Sequence, residues 1–231
     1  MSEITPAEWT AILLSLRVAV IATLVATPFG IALAWLLARH SFWGKSVLDA
    51  AIHLPLVLPP VVTGYLLLLT FGKRGPVGAW LADHLGIVFA FRWTGAALAC
   101  GVMSFPLLVR PIRLSIEAVD RRLEQAASTL GAAPWRVFAT VTLPLALPGI
   151  LAGMVLGFAK AIGEFGATIT FVSNIPGETQ TISSAIYSLI QTPDGDAAAL
   201  RLVLVSIVIA MAALIGSEWF ARRATQRLHG N

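Results

Sequence analysis

Two opposite charges, Lys160 and Glu164, stand four residues apart inside a long apolar segment. A charged side chain near the middle of a membrane helix costs roughly 2.5–3.5 kcal/mol, so such charges are kept where they face a cavity or each other. Their i and i+4 spacing permits a mutual ion pair. Three roles are open: a neutralised pair that holds helices together, a part of a gate, or, as the least favoured role, direct contact between Lys160 and an anionic substrate.

The residues around this pair favour a bend in the chain. Gly163 and Gly166 flank Glu164 and Phe165, so the backbone there is bare and easily bent. This arrangement suits a gate, and it equally suits close packing against a pair of prolines in an earlier apolar segment. The candidate translocation path or gate comprises Lys160, Gly163, Glu164, Phe165, Gly166, Thr168, Pro59 and Pro60.

Other reactive residue types do not assemble into an enzymatic site. Gly-Lys-Ser at 44–46 imitates the end of a phosphate-binding loop, but Arg39 stands where the upstream glycine is required. The four histidines are dispersed and Cys100 is the single cysteine, which argues against a metal site. A protease would need a nucleophile beside Lys160, and Ser173 lies far along the chain. We therefore expect no enzyme, no metal and no cofactor in this chain.

The elements that must position these residues are membrane helices. Hydrophobic residues make up 57% of the 231 residues and charged residues only 12%, with a mean hydropathy of +0.83. In soluble domains charged residues are about a quarter of the chain. The net charge of +4 does not indicate nucleic acid binding, because the basic residues are scattered at the ends of apolar segments. The sequence predicts an all-α polytopic protein in contact with the lipid bilayer.

Apolar segments of spanning length predict five transmembrane helices in a single domain that covers residues 1–231. Three prolines between 55 and 60 should kink or interrupt the second helix, and glycines repeated every fourth residue from Gly149 to Gly157 favour close packing of the fourth. Residues 1–16 are expected along the membrane surface. Residues 173–199, with a helix from Thr181 to Ile190, are expected to face water. The predicted spans are 18–38, 47–71, 93–109, 145–172 and 202–220.

The basic residues predict the orientation of these spans. Ten of the 16 lie in segments on one side and four on the other, which places the richer side in the cytoplasm. The N-terminus is then outside, the C-terminus is cytoplasmic, and the loop at 110–144 is cytoplasmic. The ten are Arg39, Lys45, Arg110, Arg113, Arg121, Arg122, Arg136, Arg222, Arg223 and Arg227, and the four are Lys73, Arg74, Arg92 and Arg201.

The loop between the third and fourth spans has the pattern of a helix, a turn and a second short helix. Asp120 suits the N-cap of the first helix, and Gly131 suits its end. Pro134 suits the first turn of the second helix, and Pro144 marks where the chain re-enters the bilayer. This stretch is therefore predicted to be a helical knob outside the membrane.

The spacing in this knob resembles the signature loop of ABC importer permeases, which reads Glu-Ala-Ala, three residues, Gly, nine residues, Ile, any residue, Leu-Pro. Gln125 stands where the family has Glu, with Glu124 one residue earlier, and Val141 replaces Ile. In that family the loop docks into a cleft on a separate ATPase subunit. The residues to which the resemblance assigns ATPase coupling are Glu124, Gln125, Ala126, Ala127, Gly131, Leu143 and Pro144.

Three further segments look like the permease subunit of molybdate ABC importers: residues 53–62, 164–179 and 188–193. The resemblance implies the type I importer permease fold, alternating access, a bacterial cell inner membrane location, and an oxyanion substrate delivered by an external binding protein. It also implies two copies of an ABC ATPase subunit, which bind the ATP and Mg. Because five helices are too few to enclose a path, we expect a homodimer.

Two alternatives remain open at this point. The substrate could be sulfate, thiosulfate or tungstate, because these anions differ little from molybdate in charge and shape. A proton-coupled secondary transporter would instead use Lys160 and Glu164 as a relay. The absence of an inverted repeat and the presence of the signature loop argue against this second alternative.

Overall fold

The computed structural model describes the chain from residue 4 to residue 229, and its side chains from residue 4 to residue 216. Within residues 4–229 the secondary structure is entirely helical, as predicted. In chain order the helices are α1 (Pro6–Arg39), α2 (Lys45–Val57), α3 (Pro60–Phe71), α4 (Pro76–Leu85), α5 (Trp93–Ala118), α6 (Arg121–Thr129), α7 (Pro134–Val137), a π-helical segment (Phe138–Thr142), α8 (Leu143–Ile162), α9 (Gly166–Val172), α10 (Ile182–Leu189) and α11 (Asp196–His229).

Three long helices, α1, α5 and α8, form the centre of the bundle. Glycines on α8 let it approach α5 closely: a Cβ at Gly153 would lie 2.5 Å from the Leu108 carbonyl oxygen, and one at Gly149 would lie 2.6 Å from the Pro111 carbonyl oxygen. No side chain fits between these backbones, so the predicted glycine stripe is confirmed as a packing surface.

Helix α1 begins earlier than its apolar segment. Thr5 and Glu8 form a capping box, in which each side chain accepts a hydrogen bond from the other residue's backbone N–H, and Pro6 occupies the first helical turn. Residues 6–16 are therefore continuous with the first long helix and do not form the separate segment that was predicted. A helix of 34 residues is about 50 Å long, which exceeds the ~30 Å hydrocarbon layer.

The second predicted span is interrupted, as expected. Helix α2 ends at Val57 and α3 begins at Pro60, and the two axes are bent by 114°. Pro59 and Pro60 cause the break, because neither has a backbone N–H to donate and each disfavours helical backbone in the residue before it. Pro55 lies inside α2 without ending it.

The broken pair still runs from one end of the bundle to the other. Asp49 of α2 pairs with Arg113 near the end of α5 at 3.0 Å, whereas Phe71 of α3 packs edge-on against Phe89, just before α5 begins. The pair α2–α3 is therefore a candidate fifth crossing beside the four continuous candidate spans in the described residues. We call the end that contains Arg39 and Arg113 the coupling end, and the other the far end.

Three predicted boundaries require correction. The third span does not stop at residue 109, because α5 continues to Ala118 with its terminal charges paired, such as Arg113 with Glu117 at 2.8 Å. The fourth span does not reach residue 172, because α8 ends at Ile162 and α9 is a separate short helix. Pro134 starts a helix, as predicted, but this helix is not short, because α7, the π-helical segment and α8 run unbroken over 134–162. The loop between the long helices therefore comprises residues 119–133, and not the predicted 110–144. Re-entry into the bilayer at Pro144 stays a prediction.

The segment 173–199 is less exposed than predicted. Its helix α10 starts after the N-cap Thr181, as expected. However, Ile182 and Ala185 are buried in a cluster with Ile12 of α1 and Leu202 of α11, so this face does not meet water. Helix α11 starts at Asp196, before the predicted 202. Its basic side chains at Arg222, Arg223 and Arg227 lie outside the described side chains.

Candidate functional site

Helix α6 stands at the coupling end and is capped at both ends as predicted. The Asp120 carboxylate accepts a hydrogen bond from the Arg122 backbone N–H at 2.9 Å. At the other end Gly131 adopts a positive φ of 85°, and the N–H of Ala132 donates to the Ala127 carbonyl. Only a residue that tolerates left-handed backbone closes the helix in this way. The caps fix where α6 stops and where the chain turns towards α7.

Large apolar side chains are exposed around α6. Leu130 is 88% exposed, Trp135 67% and Leu123 50%. We call these three residues, with the exposed Ala126, the docking face. Apolar side chains that project from a polar helix at the end of a membrane bundle indicate a surface that a partner covers.

The remaining predicted coupling residues lie in several environments. Ala127 is half-buried on α6. Leu143 and Pro144 are in the first turn of α8, beyond the π-helical segment; Leu143 packs against the core and Pro144 is exposed. The signature residues therefore divide between the short helix α6 and the start of a long one.

Glu124 points towards the bundle. Its Oε1 accepts hydrogen bonds from Arg39 Nη2 at 2.9 Å, from Arg39 Nε at 3.1 Å and from the Thr142 hydroxyl at 2.6 Å. The same Arg39 donates to the Val119 carbonyl at 3.1 Å. A cleft of about 500 Å³ lies beside this cluster, and Trp35, Arg39 and Gln125 are among the residues that line it.

The intramembrane charges form the predicted pair. Lys160 Nζ lies 2.7 Å from Glu164 Oε2, and the second oxygen, Oε1, accepts a hydrogen bond from the Ala167 backbone N–H at 3.0 Å. The Glu164 side chain is 1% exposed and that of Lys160 is 29% exposed. Both carboxylate oxygens are engaged inside the protein, which favours a structural or gating pair over a relay that exchanges protons with water.

The two breaks in the helices lie against each other. A Cβ at Gly166, at the start of α9, would lie 2.7 Å from Pro60 Cβ at the start of α3. One turn further on, a Cβ at Gly64 would lie 2.5 Å from the Ala167 carbonyl oxygen. We call these four residues the crossing point. The packing of Gly166 against the prolines, one of the two roles predicted for it, is thus present.

The other candidate path residues surround the crossing point. Pro59 and Gly163 are exposed, and a Cβ at Gly163 would come no closer than 3.9 Å to another atom. The Phe165 ring packs at 4.9 Å from that of Tyr187 on α10. Thr168 is buried, and its hydroxyl donates to the Phe165 carbonyl at 2.9 Å, so it acts inside α9.

Sequence reasoning missed several partners of these residues. Arg39 was counted only as a topology signal, and Thr142 was not singled out. Arg39 lies 85 residues from Glu124, and no helical or strand periodicity links positions so far apart. The sequence did contain one signal for this contact. Glu124 stands one residue before the position at which the family has Glu, so its side chain must project in a different direction around the helix.

The comparisons with known proteins agree with this architecture. Residues 26–226 match the family described as binding-protein-dependent transport system inner membrane component. The molybdenum transport system permease protein ModB of Escherichia coli is 62% identical over 224 residues, which are 97% of this chain and 98% of that protein. The protein of the same name from Haemophilus influenzae is 57% identical over 221 residues, 96% of each chain.

A solved structure of a bacterial alginate ABC transporter in complex with alginate pentasaccharide-bound periplasmic protein has a chain with the same fold. The TM-score is 0.75 at 19% identity, and the match covers 96% of this chain and 81% of that one. The described residues therefore share the fold of that ABC transporter chain. The matched family and the ModB relatives are transport components and not enzymes. With the family match over most of its length, this chain belongs to the binding-protein-dependent transport system inner membrane components.

Proposed function

We propose that this chain is the permease subunit of an ATP-driven importer that carries molybdate across the inner membrane by alternating access. The observation that carries the proposal is the near-full-length similarity to molybdenum transport permeases. Binding-protein dependence, which defines the family, supports delivery of the anion by an external protein.

In this proposal the docking face contacts an ABC ATPase subunit, which binds and hydrolyses the ATP with its Mg. The apolar side chains exposed on and beside α6 support this assignment, since contact with a partner would remove them from water. The ATPase drives transport only if it binds the two conformations of the permease differently, because equal affinity shifts no equilibrium.

We further propose that two copies of the chain line one path. The stripe Val61, Tyr65 and Leu69 on α3 supports this arrangement, since all three side chains are about half exposed beside the crossing point. A two-fold pair would present two docking faces to two ATPase subunits. The crossing point and the Lys160–Glu164 pair would then form the gate, where the broken helices allow α3 and α9 to shift against each other.

The test is reconstitution of the permease with its ATPase in liposomes, with binding protein on the outside. We expect molybdate-loaded binding protein to stimulate ATP hydrolysis and molybdate uptake, and sulfate-loaded protein to stimulate neither. Stimulation by sulfate- or tungstate-loaded protein instead would assign a different oxyanion to the same machinery. Uptake driven by a proton gradient without ATP would overturn the proposal.

A substitution at Gly131 separates an importer from a self-contained carrier. Gly131→Val places a β-branched residue at positive φ in open space, so it strains the end of α6 without a steric clash. The matched control is Gly86→Val at the end of α4, which also has positive φ and open surroundings. Only Gly131→Val should uncouple ATP hydrolysis from uptake, whereas a proton-driven carrier would tolerate both changes.

A further inference from the structure

The carboxylate of Glu124 joins parts of the chain that are far apart in sequence. Arg39 is the last residue of α1, Val119 follows α5, and Thr142 closes the π-helical segment before α8. Glu124 itself lies in the first turn of α6. Hydrogen bonds through Glu124 and Arg39 therefore connect the short coupling helix to the ends of all three central helices.

The cluster is largely protected from water. The side chains of Arg39 and Glu124 are 9% and 18% exposed, and Thr142 is buried. Two nitrogens of the Arg39 guanidinium reach the same carboxylate oxygen, so both the charge and the orientation of the arginine are used. Charge-assisted hydrogen bonds of this kind are stronger and more directional than exposed surface pairs.

Gln125 occupies a different environment from its neighbour. It is exposed at the rim of the cleft, whereas the Glu124 carboxylate, which borders the same cleft, is hydrogen-bonded to Arg39 and Thr142. Adjacent residues of a helix project about 100° apart, so one residue of displacement is enough to move a charge from an exposed position to an internal contact.

We propose that Glu124 is the positioning residue of the coupling helix: it ties α6 to α1, α5 and α8, so that an ATPase subunit that displaces α6 moves the three central helices with it. This inference rests on the proposed function. It assigns to the charged residue an intramolecular role, transmission of movement, and leaves contact with the ATPase to the neutral docking face.

The experiment measures molybdate uptake per ATP hydrolysed by the reconstituted permease, ATPase and binding protein. We expect Glu124→Gln to lower this ratio about tenfold. Loss of one charge-assisted contact from one of the two conformations changes the equilibrium between them by about this factor. ATP hydrolysis and co-purification of the ATPase should persist, because the docking face is intact. Thr142→Val, which removes one donor at nearly constant shape, should lower the ratio by a smaller factor.

The matched control is Glu117→Gln. Glu117 is also a carboxylate at the coupling end with an arginine partner, Arg113, but both belong to α5. The control should keep the wild-type ratio. An unchanged ratio in Glu124→Gln, or an equal fall in Glu117→Gln, would overturn the inference. If Glu124→Gln does not assemble, Thr142→Val decides, and a wild-type ratio in that variant would overturn the inference as well.

Failure of the proposed function would look different. A wild-type complex that does not respond to molybdate-loaded binding protein would remove the proposed substrate before any variant is compared. If the wild-type complex responds to molybdate-loaded binding protein and the Glu124→Gln variant keeps the wild-type ratio of uptake to ATP hydrolysis, only the role assigned to Glu124 is overturned.

Discussion

The molecule contains a continuous region and a broken one. Helices α1, α5 and α8 run without interruption, and α8 packs through glycines directly against the backbone of α5. Helices α2, α3 and α9 are short, and they meet at breaks made by Pro59, Pro60 and the segment 163–165. The continuous region transmits displacement along its length, whereas the broken region offers points at which one segment shifts against another. The charged residues of the two regions differ accordingly. At the coupling end Glu124 and Arg39 join the long helices to α6. Beside the crossing point the Glu164 carboxylate caps the short helix α9.

The largest effect is expected in the continuous region. Gly153→Ala would push a methyl group against the Leu108 carbonyl oxygen, which belongs to a helix backbone and cannot move aside. We expect a loss of up to ~3 kcal/mol in stability. The measurement is thermal unfolding of the purified protein in detergent.

Gly101→Ala on α5 is the control for this comparison. Its nearest neighbour outside the helix would be the Ala22 carbonyl oxygen at 3.8 Å, an ordinary contact. The change should be neutral or slightly stabilising, because alanine favours helix over glycine by about 1 kcal/mol. Equal stability of the two variants would contradict the close backbone packing described for the continuous region.

In the broken region, Lys160→Met removes the partner of a buried carboxylate. We expect a loss of about 2 kcal/mol, because the buried Glu164 carboxyl would lose its lysine partner. The double variant Lys160→Met with Glu164→Gln should recover most of this loss, since the amide oxygen can still accept from the Ala167 N–H. Thermal unfolding of both variants checks the prediction, and a double variant no better than the single one would refute it.

Gly166→Ala should affect movement more than stability. The added methyl would meet Pro60 Cβ at 2.7 Å, and we expect a stability loss of only about 1 kcal/mol. Molybdate uptake should fall by a larger factor if the crossing point is a gate, and uptake assays with expression-matched vesicles measure it. Gly101→Ala is the control, because it lies away from the crossing point and its added methyl would make only an ordinary contact at 3.8 Å. Equal uptake by both variants would remove the crossing point from the mechanism.

The smallest effect is expected at Gln125. Gln125→Glu restores the residue that the signature loop usually has, at an exposed position beside an internal contact already made by Glu124. Stability should change by less than ~0.5 kcal/mol, as for other surface substitutions, and uptake should stay at the wild-type level. A strong gain or loss of coupling would show that position 125 carries the charge-dependent contact after all.

Local signals in the sequence predicted much of this structure. Proline chemistry located the break in the second span, the glycine stripe located the close contact between α8 and α5, and the caps Asp120 and Gly131 fixed the ends of α6. The i and i+4 spacing predicted the Lys160–Glu164 pair even though the helix between them ends at Ile162. These features depend on residues near one another in the chain.

The errors arose where contacts are distant in sequence. Spans were ended at the first charged residue, but α5 continues because Arg113 finds Asp49 on another helix. The polar segment 173–199 was placed in water, but Ser15 of α1 accepts a hydrogen bond from the Ile182 backbone N–H, which draws α10 onto the bundle. The orientation across the membrane remains a prediction of the charge distribution.

The π-helical segment gives the signature spacing a geometric meaning. Its wider turn, in which the Leu143 N–H donates to the Phe138 carbonyl, accommodates one residue more than an α-helix would. Every side chain after it is rotated by about 100° around the helix axis relative to an uninterrupted α-helix. The nine residues between Gly131 and Val141 include part of this turn. Their number therefore sets the rotation of the helix that follows as well as the length of the loop. Deleting one residue from this turn would let it close as an ordinary α-helical turn and leave the side chains beyond it in place, whereas a deletion in the α-helix after it would turn the rest of that helix away from its partners.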